Sequence, residues 1–257
     1  MRQLRHLYIP SGCSPKSEHV KLNELTNLQS ISLMKVDHWI MGDFSMVTSL
    51  RSLGLLGKLG TYQTAVSNFI GRQKNLESLR LIETGNDQLS ILIISSCLHQ
   101  LDKLHWSGQL KKLPAIQDVA LCLTKLVLKR SRLSEDPMAV LEKLPKLQHL
   151  KLLNGSYLGK KICCSAEGFP VLAVLEISWC EELEDWTVEE GAIANLRRLK
   201  IRKCSKLKMI PEGFRLLTNL EQLVLSWQPP NFLERVEENG LDWFKIRHIP
   251  SLVRHDH

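Results

Sequence analysis

The chain has 257 residues, of which 44% are apolar and 6% aromatic, so its core has to be built mainly from aliphatic side chains. The formal net charge is +7, from 34 basic and 27 acidic residues, which favours acidic partners in a general way. Because the two signs are interspersed, this charge does not by itself indicate a nucleic-acid-binding protein.

The cysteines and the apolar segments indicate where the protein resides. There are seven cysteines and no C-x-x-C pair, which predicts reduced thiols rather than a disulfide framework or a zinc site. The first residues contain no apolar run of signal-peptide length, and no window approaches 18 unbroken apolar residues. We therefore predict a cytoplasmic protein without a membrane segment, with the nucleus left open as a second location.

One pattern of aliphatic residues recurs along the whole chain with the spacing L-x-x-L-x-L. The first leucines of successive copies lie 21 to 26 residues apart. The copies are Leu4-Leu7-Ile9, Leu28-Ile31-Leu33, Leu50-Leu53-Leu55, Leu76-Leu79-Leu81, Leu101-Leu104-Trp106, Leu123-Leu126-Leu128, Leu147-Leu150-Leu152, Leu172-Leu175-Ile177, Leu196-Leu199-Ile201 and Leu220-Leu223-Leu225, with a weaker eleventh at Leu241-Phe244-Ile246. In the copy at 196 the pattern continues to Cys204 and Leu207, which completes the signature of a leucine-rich repeat.

The alternation within each copy predicts the architecture. Alternate residues of a strand point to the same face, so the last two apolar residues of each copy face one core. One repeat cannot bury its leucines alone, and stacked repeats can. We predict an α/β fold, a leucine-rich-repeat solenoid (horseshoe) of about ten to eleven repeats. Its short parallel strands form the concave face, and irregular or short helical segments form the convex face.

The segments between strands contain two helix signals, at Thr61 to Ile70 and at Asp136 to Leu144. In the second, Asp136 is a candidate cap and Pro137 fits the first helical position. No linker interrupts the chain, so we predict a single domain, 1–257, with 241–257 as an irregular closing repeat. Met1 lies three residues before Leu4. We therefore expect the exposed first edge to belong to a longer protein or to be covered by a partner.

Motifs that carry chemistry are missing from the sequence. There is no phosphate-binding G-x-x-x-x-G-K-[ST], no G-x-G-x-x-G, no G-x-S-x-G and no H-E-x-x-H. The adjacent Cys163 and Cys164 have a poor spacing for chelation, and Asn154-Gly155-Ser156 is interpreted as a turn rather than a glycosylation site. We predict a protein that is not an enzyme and has no catalytic residues, cofactor or metal.

Cys180 and Cys204 occupy equivalent positions 24 residues apart. A redox pair is one interpretation. We favour a structural ladder, in which each thiol is buried at the turn after its strand and bonds backbone, because this position of the repeat takes a small polar or thiol side chain.

The strand positions that alternate with the core leucines are the candidate binding surface. From Arg80 onward they are mostly basic, interrupted by Glu176, and they also include Val127, Lys245 and Arg247. We predict that this concave face binds an acidic surface of a protein ligand; an ordinary solvated sheet face is the alternative. The predicted partner-binding residues are Arg80, Lys103, His105, Lys125, Lys129, His149, Lys151, Arg198, Lys200 and Arg202.

Two tryptophans, Trp179 and Trp227, follow strands directly. We interpret them as packing under the outer loops, with exposed binding anchors as the alternative. Nucleic acid is disfavoured as a partner, because stacking aromatic residues are not interleaved with the basic ones in the sequence.

Residues 134–213 resemble the C-terminal repeat region of plant intracellular disease-resistance receptors of the coiled-coil, nucleotide-binding, leucine-rich-repeat type. The close resemblance covers about a third of the chain, and the looser repeat pattern covers nearly all of it. The last repeat of these receptors is similar to the run from Glu238 to Pro250. The matching features in 134–213 are Asp136-Pro137-Met138, Leu144-Pro145-x-Leu147, Tyr157-x-Gly159, Gly168-Phe169-Pro170-x-Leu172, Trp186, Gly191-Ala192, Ile201-x-x-Cys204-x-x-Leu207 and Pro211-x-Gly213.

The resemblance implies a protein-interaction module of plant innate immunity. Such a module senses a pathogen effector, or a host protein altered by one, and restrains a nucleotide-binding switch domain, which could also cover the N-terminal edge. This chain departs from the family because it contains no P-loop. A truncated decoy or partner without switch activity therefore remains an alternative, and so does a substrate-recruiting adaptor of the F-box type.

Overall fold

The computed structural model of the chain describes residues 3–8, 25–36, 46–90, 94–113, 116 and 120–255. It divides into two compact units, Met1–Lys111 (unit 1) and Lys112–His257 (unit 2), and each is taken by itself below. Ile9 of the first copy, Cys13 and His257 lie outside the described residues. The assignment of 1–257 to one domain stays a prediction.

Unit 1 is a parallel sheet with the strand order β1-β2-β3-β4-β5. One helix, α1, lies on the return path between β3 and β4 and overlaps the predicted helix at Thr61 to Ile70. The elements are β1 His6–Leu7, β2 Ser30–Lys35, β3 Ser52–Gly57, α1 Gln63–Gly71, β4 Ser78–Glu83 and β5 Lys103–Ser107.

A β-bulge in β2 changes which residues enter the core of unit 1. Ile31 is aligned with Leu53 but Met34 with Leu55, so β2 contains one extra residue. Met34 is fully buried and Leu33 is only half-buried, so the prediction that Leu33 is a core residue is wrong. A one-residue slip moves side chains to the opposite face of a strand. Gly54 permits the bulge, because a Cβ atom there would lie 2.0 Å from the carbonyl oxygen of Ser32.

Unit 2 contains a larger parallel sheet, with the order β6-β7-β9-β11-β12-β13, and a two-stranded parallel sheet of β8 and β10 formed by the returning segments. The elements are β6 Lys125–Lys129, α2 Met138–Leu141, β7 His149–Leu153, β8 Lys161–Cys164, β9 Val174–Ser178, β10 Asp185–Val188, β11 Arg198–Arg202, a 3-10 helix Glu212–Leu216, β12 Gln222–Ser226, α3 Pro230–Arg235, α4 Trp243–Ile246 and β13 Ser251–His255. As predicted, Asp136 caps the turn at α2, since its Oδ1 accepts a hydrogen bond from the backbone N–H of Met138.

The core of unit 2 is formed by rows of aligned aliphatic side chains. One row runs through Leu126, Leu150, Leu175, Leu199 and Leu223, and each of these is at most 1% exposed. The neighbouring row ends at β13, where Arg254 is aligned with Leu225. A charged residue in the last strand ends the apolar row, which is one way in which proteins protect a sheet edge.

The residue directly after each of five strands of unit 2 has a left-handed backbone. The φ angles are 54° at Arg130, 51° at Asn154, 59° at Trp179, 48° at Lys203 and 58° at Trp227. The backbone N–H of each donates to the last residue of the next strand, for example Trp179 to Arg202 at 2.8 Å and Lys203 to Ser226 at 2.9 Å. This conformation costs a non-glycine residue about 1–2 kcal/mol, and the extra rung of hydrogen bonds offsets part of that cost.

A buried polar ladder follows this left-handed position. Its members are Ser131, Ser156, Cys180, Cys204 and Gln228, all at most 7% exposed. Cys204 Sγ lies 3.9 Å from the carbonyl oxygen of Ile177, and Gln228 Nε2 donates to that of Ile201 at 3.2 Å, one repeat further on. Burial raises the pKa of the Cys180 thiol to about 11 and also raises the pKa of Cys204. These positions support the structural ladder over a redox pair, since a reactive cysteine needs an accessible thiolate.

The C-terminal segment of unit 2 differs from the predicted eleventh repeat. Trp243–Ile246 is helix α4, and the last strand of the sheet is Ser251–His255 instead. Asp242 and Lys245 are buried on and next to this helix, with side chains 1% and 3% exposed. Lys245 Nζ donates to Ile210 O at 2.9 Å, so this side chain is held inside unit 2 instead of facing solvent as predicted.

A buried ion-pair network explains the sequence of this last segment. Arg235 donates to both oxygens of Asp242, at 2.9 and 3.0 Å. Lys245 Nζ lies 2.9 Å from Asp242 Oδ1, and Asp242 Oδ2 accepts the backbone N–H of Ile210 at 3.1 Å. Every oxygen of the buried carboxylate therefore has donors, which is the condition under which burial of a charge is tolerated.

The predicted leucine-rich-repeat solenoid of parallel strands is confirmed, but the repeat count is too high. Over the described residues the strands make about eight turns rather than ten to eleven. At the two ends, β1 has only two residues and the eleventh copy is helical. The longest helix of the described residues is the nine-residue α1. No helix in the described part of the chain is long and apolar enough to cross a membrane.

Candidate functional site

The candidate site is the solvent face of each sheet, defined as the strand side chains that alternate with the buried rows. In unit 1 this face contains Arg80 on β4 and Lys103 and His105 on β5. The register places Arg80 beside His105. Arg80 and Lys103 are exposed and His105 is half-buried. Lys103 Nζ lies 3.4 Å from the carboxylate of its neighbour Asp102, which reduces its availability to a partner.

The other seven predicted residues lie on three strands of unit 2. Lys125 on β6 is aligned with His149 on β7. Lys151 and Lys200 are both aligned with Glu176, which lies on β9 between them. The remaining three are Lys129 at the end of β6 and Arg198 and Arg202 at the two ends of β11.

Glu176 neutralises part of the predicted basic face. Its carboxylate is 2.7 Å from Lys151 Nζ and 3.9 Å from Lys200 Nζ, and its side chain is 16% exposed. Burial raises the pKa of Glu176, but the hydrogen bond from Lys151 and the charges of both lysines outweigh it, so the pKa is lowered overall. The three residues together carry one positive charge, so Lys151 and Lys200 are weaker sites for a foreign carboxylate than the sequence suggests.

His149 is uncharged at neutral pH on this face. Burial lowers the pKa of His149 below its usual value, and the nearby charges of Lys125 and Lys151 lower it further. At neutral pH this residue therefore contributes hydrogen bonding rather than charge.

Three positions predicted to face solvent on the sheet do not. Val127 is aligned with Lys151 of the solvent face, but it is only 5% exposed because neighbouring residues cover it. Lys245 and Arg247 lie in α4 and at its end rather than on a strand, so strand alternation does not apply to them.

The carboxyl ends of β9, β11 and β12 carry an aromatic and cationic group. The sequence offers Trp179 and Trp227 as alternative anchors and Arg202 as a binding residue, but it does not predict Lys203 or the contacts among the four. We name Trp179, Arg202, Lys203 and Trp227 the tryptophan strip. Lys203 Nζ lies 3.7 Å from the centre of the Trp179 ring, and Arg202 Cζ lies 5.4 Å from the centre of the Trp227 ring. Trp227 is 43% exposed, so the interpretation that it packs under the outer loops is wrong. The missed signal was the constant position of Trp179, Lys203 and Trp227 after their strands.

Several basic residues in the returning segments of unit 2 are paired with acidic residues of the chain. Glu184 bridges Lys160 and Lys208 at 2.9 and 3.0 Å, and Lys206 lies 2.7 Å from Glu182. The hydrogen bonds from Lys160 and Lys208 lower the pKa of Glu184 to about 2. By contrast, Lys125, Arg198, Arg202 and Lys203 form no ion pair with any described residue. Some of the positive charges of unit 2 that have no ion pair therefore lie on its solvent face and in the strip.

A groove of about 410 Å³ lies at the opposite, amino-terminal ends of the strands of unit 2, and Asn195, Arg197 and Asn219 line it. Its polar side chains already have partners in the chain: Asn195 donates to Pro170 O and Asn219 to Ala194 O. Arg197 lies 3.5 Å from Glu221. Among the residues that the structure describes, no three His, Cys, Asp or Glu side chains converge to hold a metal ion.

Comparison with known structures supports the fold. A leucine-rich-repeat protein of Leptospira interrogans, LIC12759, superposes with a TM-score of 0.52 and 17% sequence identity. The match covers 99% of this chain and 65% of that one. At this level of identity the similarity shows the fold alone.

Comparison with known sequences is more specific. A family model described as a leucine-rich repeat region matches residues 1–238. Two Arabidopsis thaliana proteins, the probable disease resistance RPP8-like protein 4 and the disease resistance protein RPP8, are 32% and 33% identical over 98% of this chain. The chain spans 28% of the length of each of these relatives. The family that matches is a repeat scaffold and not a class of enzymes.

The repeated leucines, the stacked parallel strands and these matches agree with one another. The resemblance to plant disease-resistance proteins that residues 134–213 indicated is confirmed, and the chain belongs to the leucine-rich-repeat family.

Proposed function

We propose that this chain is a protein-interaction module of plant innate immunity whose solvent face binds an acidic surface of a partner protein. The partner is a pathogen effector, a host protein altered by one, or the nucleotide-binding switch domain that the module restrains. The immune role is supported by the similarity to disease-resistance proteins over 98% of the chain. Because the chain matches only 28% of their length, the activity of those proteins is carried over as part of the proposal.

One observation carries the choice of surface. Lys125 and Arg198 have no ion pair with a described residue and lie on strands of one sheet, so their charges share one surface. Lys160, Lys206 and Lys208 of the returning segments are instead paired with Glu184 or Glu182. A patch of unpaired charge steers oppositely charged partners and rejects like-charged ones. Glu176 sets a limit on this surface, since it already occupies Lys151 and Lys200.

The test is a set of charge reversals on the full chain. Lys103, Lys125, Lys151, Arg198 and Lys200 are changed to Glu, and binding to the purified nucleotide-binding switch domain of a plant disease-resistance relative is measured by calorimetry. We expect the affinity to fall by more than about tenfold, because the reversal replaces attraction by repulsion. The matched control reverses five exposed basic residues outside the strands, Lys74, Lys111, Lys143, Lys146 and Arg215.

The control separates the face from net charge. If both sets of variants lose the same amount of affinity, the loss is due to non-specific electrostatics. If the variant with the five solvent-face reversals binds as tightly as the unmodified chain, the proposed surface is refuted. Co-expression of the two proteins in leaf tissue adds a functional measurement: reversal on the solvent face should release the cell-death signal of the switch domain, and the control set should not.

A further inference from the structure

The tryptophan strip sits at positions where the backbone does not require tryptophan. Trp179, Lys203 and Trp227 occupy the same left-handed position after three neighbouring strands, and Arg130 and Asn154 occupy it elsewhere in unit 2. The hydrogen bonds that this position adds between repeats are made by its backbone: for example, Trp179 N donates to Arg202 O and Trp179 O accepts from Gly155 N. A left-handed backbone favours Gly and Asn and disfavours a bulky side chain. Two indoles at such positions are therefore strained residues, and strain of this kind clusters at functional sites.

The cations of the strip are held by aromatic rings rather than by carboxylates. Lys203 lies over Trp179 and Arg202 lies against Trp227. Arg202 is aligned with Ser178 and Ser226, whose small side chains are 3% and 5% exposed. No carboxylate among the described residues forms an ion pair with Arg202 or Lys203. A cation–π contact at a partly exposed site contributes only about 0.5–1 kcal/mol, so a partner's carboxylate can still gain from both charges.

The indoles themselves leave apolar area for a partner. Trp227 is 43% exposed although Arg202 covers one side of it, and Trp179 is half-buried. Trp and Arg are the residues most enriched at the energetic centres of protein interfaces. The strip combines both types, with two positive charges that have no ion pair at the end of β11 and one indole after each neighbouring strand.

The spacing of the strip sets the length of a matching ligand. β11 lies between β9 and β12, and neighbouring strands are about 4.8 Å apart, so the two tryptophan positions are separated by roughly 10 Å. In a polyproline II segment, residues i and i+3 point to the same side and are about 9 Å apart. Two apolar side chains at i and i+3 can each contact one indole. Acidic side chains at i+1 and i+2 point to the flanks of the segment, where the long side chains of Lys203 and Arg202 can pair with them.

We propose that the tryptophan strip anchors an extended acidic segment of the partner protein, with two apolar residues three positions apart flanking its carboxylates. This inference rests on the proposed function, since it gives the acidic partner a defined binding position at the carboxyl ends of β9, β11 and β12. The inference names the residues that would select one acidic segment over another. Positive charge alone does not recognise the spacing of side chains along a segment.

The experiment selects ligands from a random library of twelve-residue peptides displayed on phage, with the full chain as the target. Enriched peptides are then synthesised with a fluorescent label and titrated by anisotropy. We expect them to contain Asp or Glu between two apolar residues at i and i+3. Their affinity should fall by more than about tenfold in Trp227→Asn and in Lys203→Asn, as for interface residues of high energetic weight.

The substitution to Asn keeps a residue that tolerates the left-handed backbone, so folding is preserved and thermal unfolding verifies it. The matched control is Arg130→Asn, which removes a basic residue from the same backbone position directly after β6 and should change the affinity by less than about twofold. Enrichment of peptides without acidic residues, the failure to enrich any binder, or equal losses in the control would each overturn the proposal.

Two further outcomes separate this inference from the proposed function. If the five charge reversals on the solvent face abolish binding of the switch domain but Trp227→Asn and Lys203→Asn leave peptide binding intact, the strip is not the anchor and the proposed function stands. If a twelve-nucleotide single-stranded RNA binds with the dependence on Trp227 and Lys203 expected for the peptides while the peptides do not, the strip is a nucleic-acid site and the proposal is wrong.

Discussion

Unit 1 and unit 2 build the same type of repeat by different means. In unit 2 a left-handed non-glycine residue and a buried polar residue follow five strands, and those strands all have five residues. In unit 1 the described residues with positive φ are the glycines Gly57 and Gly108, and the strands range from two to six residues. Unit 1 also contains the bulge in β2.

The difference shows what keeps a repeat regular. In unit 2 the left-handed residue adds one backbone hydrogen bond to each repeat, and two members of the polar ladder, Cys204 and Gln228, contact a carbonyl oxygen of the preceding repeat. Both devices fix the position at which each strand ends, so the register stays constant. Unit 1 has no such ladder among its described residues, and its register shifts where Gly54 leaves space for another backbone.

The largest expected effect concerns the ion-pair network of Asp242 in the C-terminal segment of unit 2. Asp242→Ala removes the buried carboxylate that pairs with Arg235 and Lys245, so Arg235 loses its ion pair and the buried Lys245 keeps only the exposed Glu212. Loss of one member of a buried ion pair costs about 3–5 kcal/mol. We expect a decrease of that size in the free energy of unfolding, measured by urea denaturation with tryptophan fluorescence. Glu212→Ala, which removes an exposed partner of Lys245, is the control and should cost less than about 1 kcal/mol.

A loss below about 1 kcal/mol in Asp242→Ala would contradict a closing role for the network. It would also weaken the contrast between the two units, because the network is a feature of unit 2.

The second prediction compares glycines that serve different purposes. Gly54→Ala in unit 1 places a Cβ 2.0 Å from the backbone oxygen of Ser32, so strands have to move. Gly155→Ala in unit 2 meets no atom within 4 Å but keeps a φ of +66°. Overpacking costs about 1–3 kcal/mol or more, and a left-handed alanine about 1 kcal/mol. We expect Gly54→Ala to lower the free energy of unfolding more than Gly155→Ala does, and the reverse order would refute the bulge as a backbone contact.

The smallest expected effect is a pH dependence of unit 2. Burial raises the pKa of Asp242, but the hydrogen bonds from Arg235, Lys245 and Ile210 outweigh it and the pKa is lowered from 3.8. A carboxyl with a lowered pKa in the folded state stabilises it above the unfolded value, and the contribution disappears as the pH falls through the folded value. The stability difference between the unmodified chain and Asp242→Asn should therefore be constant above about pH 5 and shrink below about pH 4. A difference that stays constant to pH 2 would contradict the ionised state of Asp242.

The aliphatic rows could be predicted from the sequence because a strand alternates its faces independently of its neighbours. Leu199 and Ile201 illustrate this, since both were assigned to the core and are at most 1% exposed. Leu33 and Val127 could not be assigned correctly, because a bulge or a neighbouring surface decides which side of a strand is solvated. The burial of a charged residue could not be predicted either. Lys245 is buried because it pairs with Asp242, which is close in sequence, and with Ile210 O, 35 residues earlier.

The candidate face was predicted in part. The sequence located the basic strand residues, but it did not show that Glu176 occupies Lys151 and Lys200 or that Arg202 and Lys203 lie against tryptophan rings. Those contacts join residues about one repeat apart, and only stacking of the repeats brings them together.

The sequence by itself determined the repeat, its period and the family, because each copy encodes its own apolar face and turn. The tertiary structure decided the strand register, the closing ion-pair network of unit 2 and the exposure of Trp227, because each depends on a neighbouring repeat. A periodic sequence specifies what every repeat buries, whereas the side chains left for recognition are settled by the contacts between repeats.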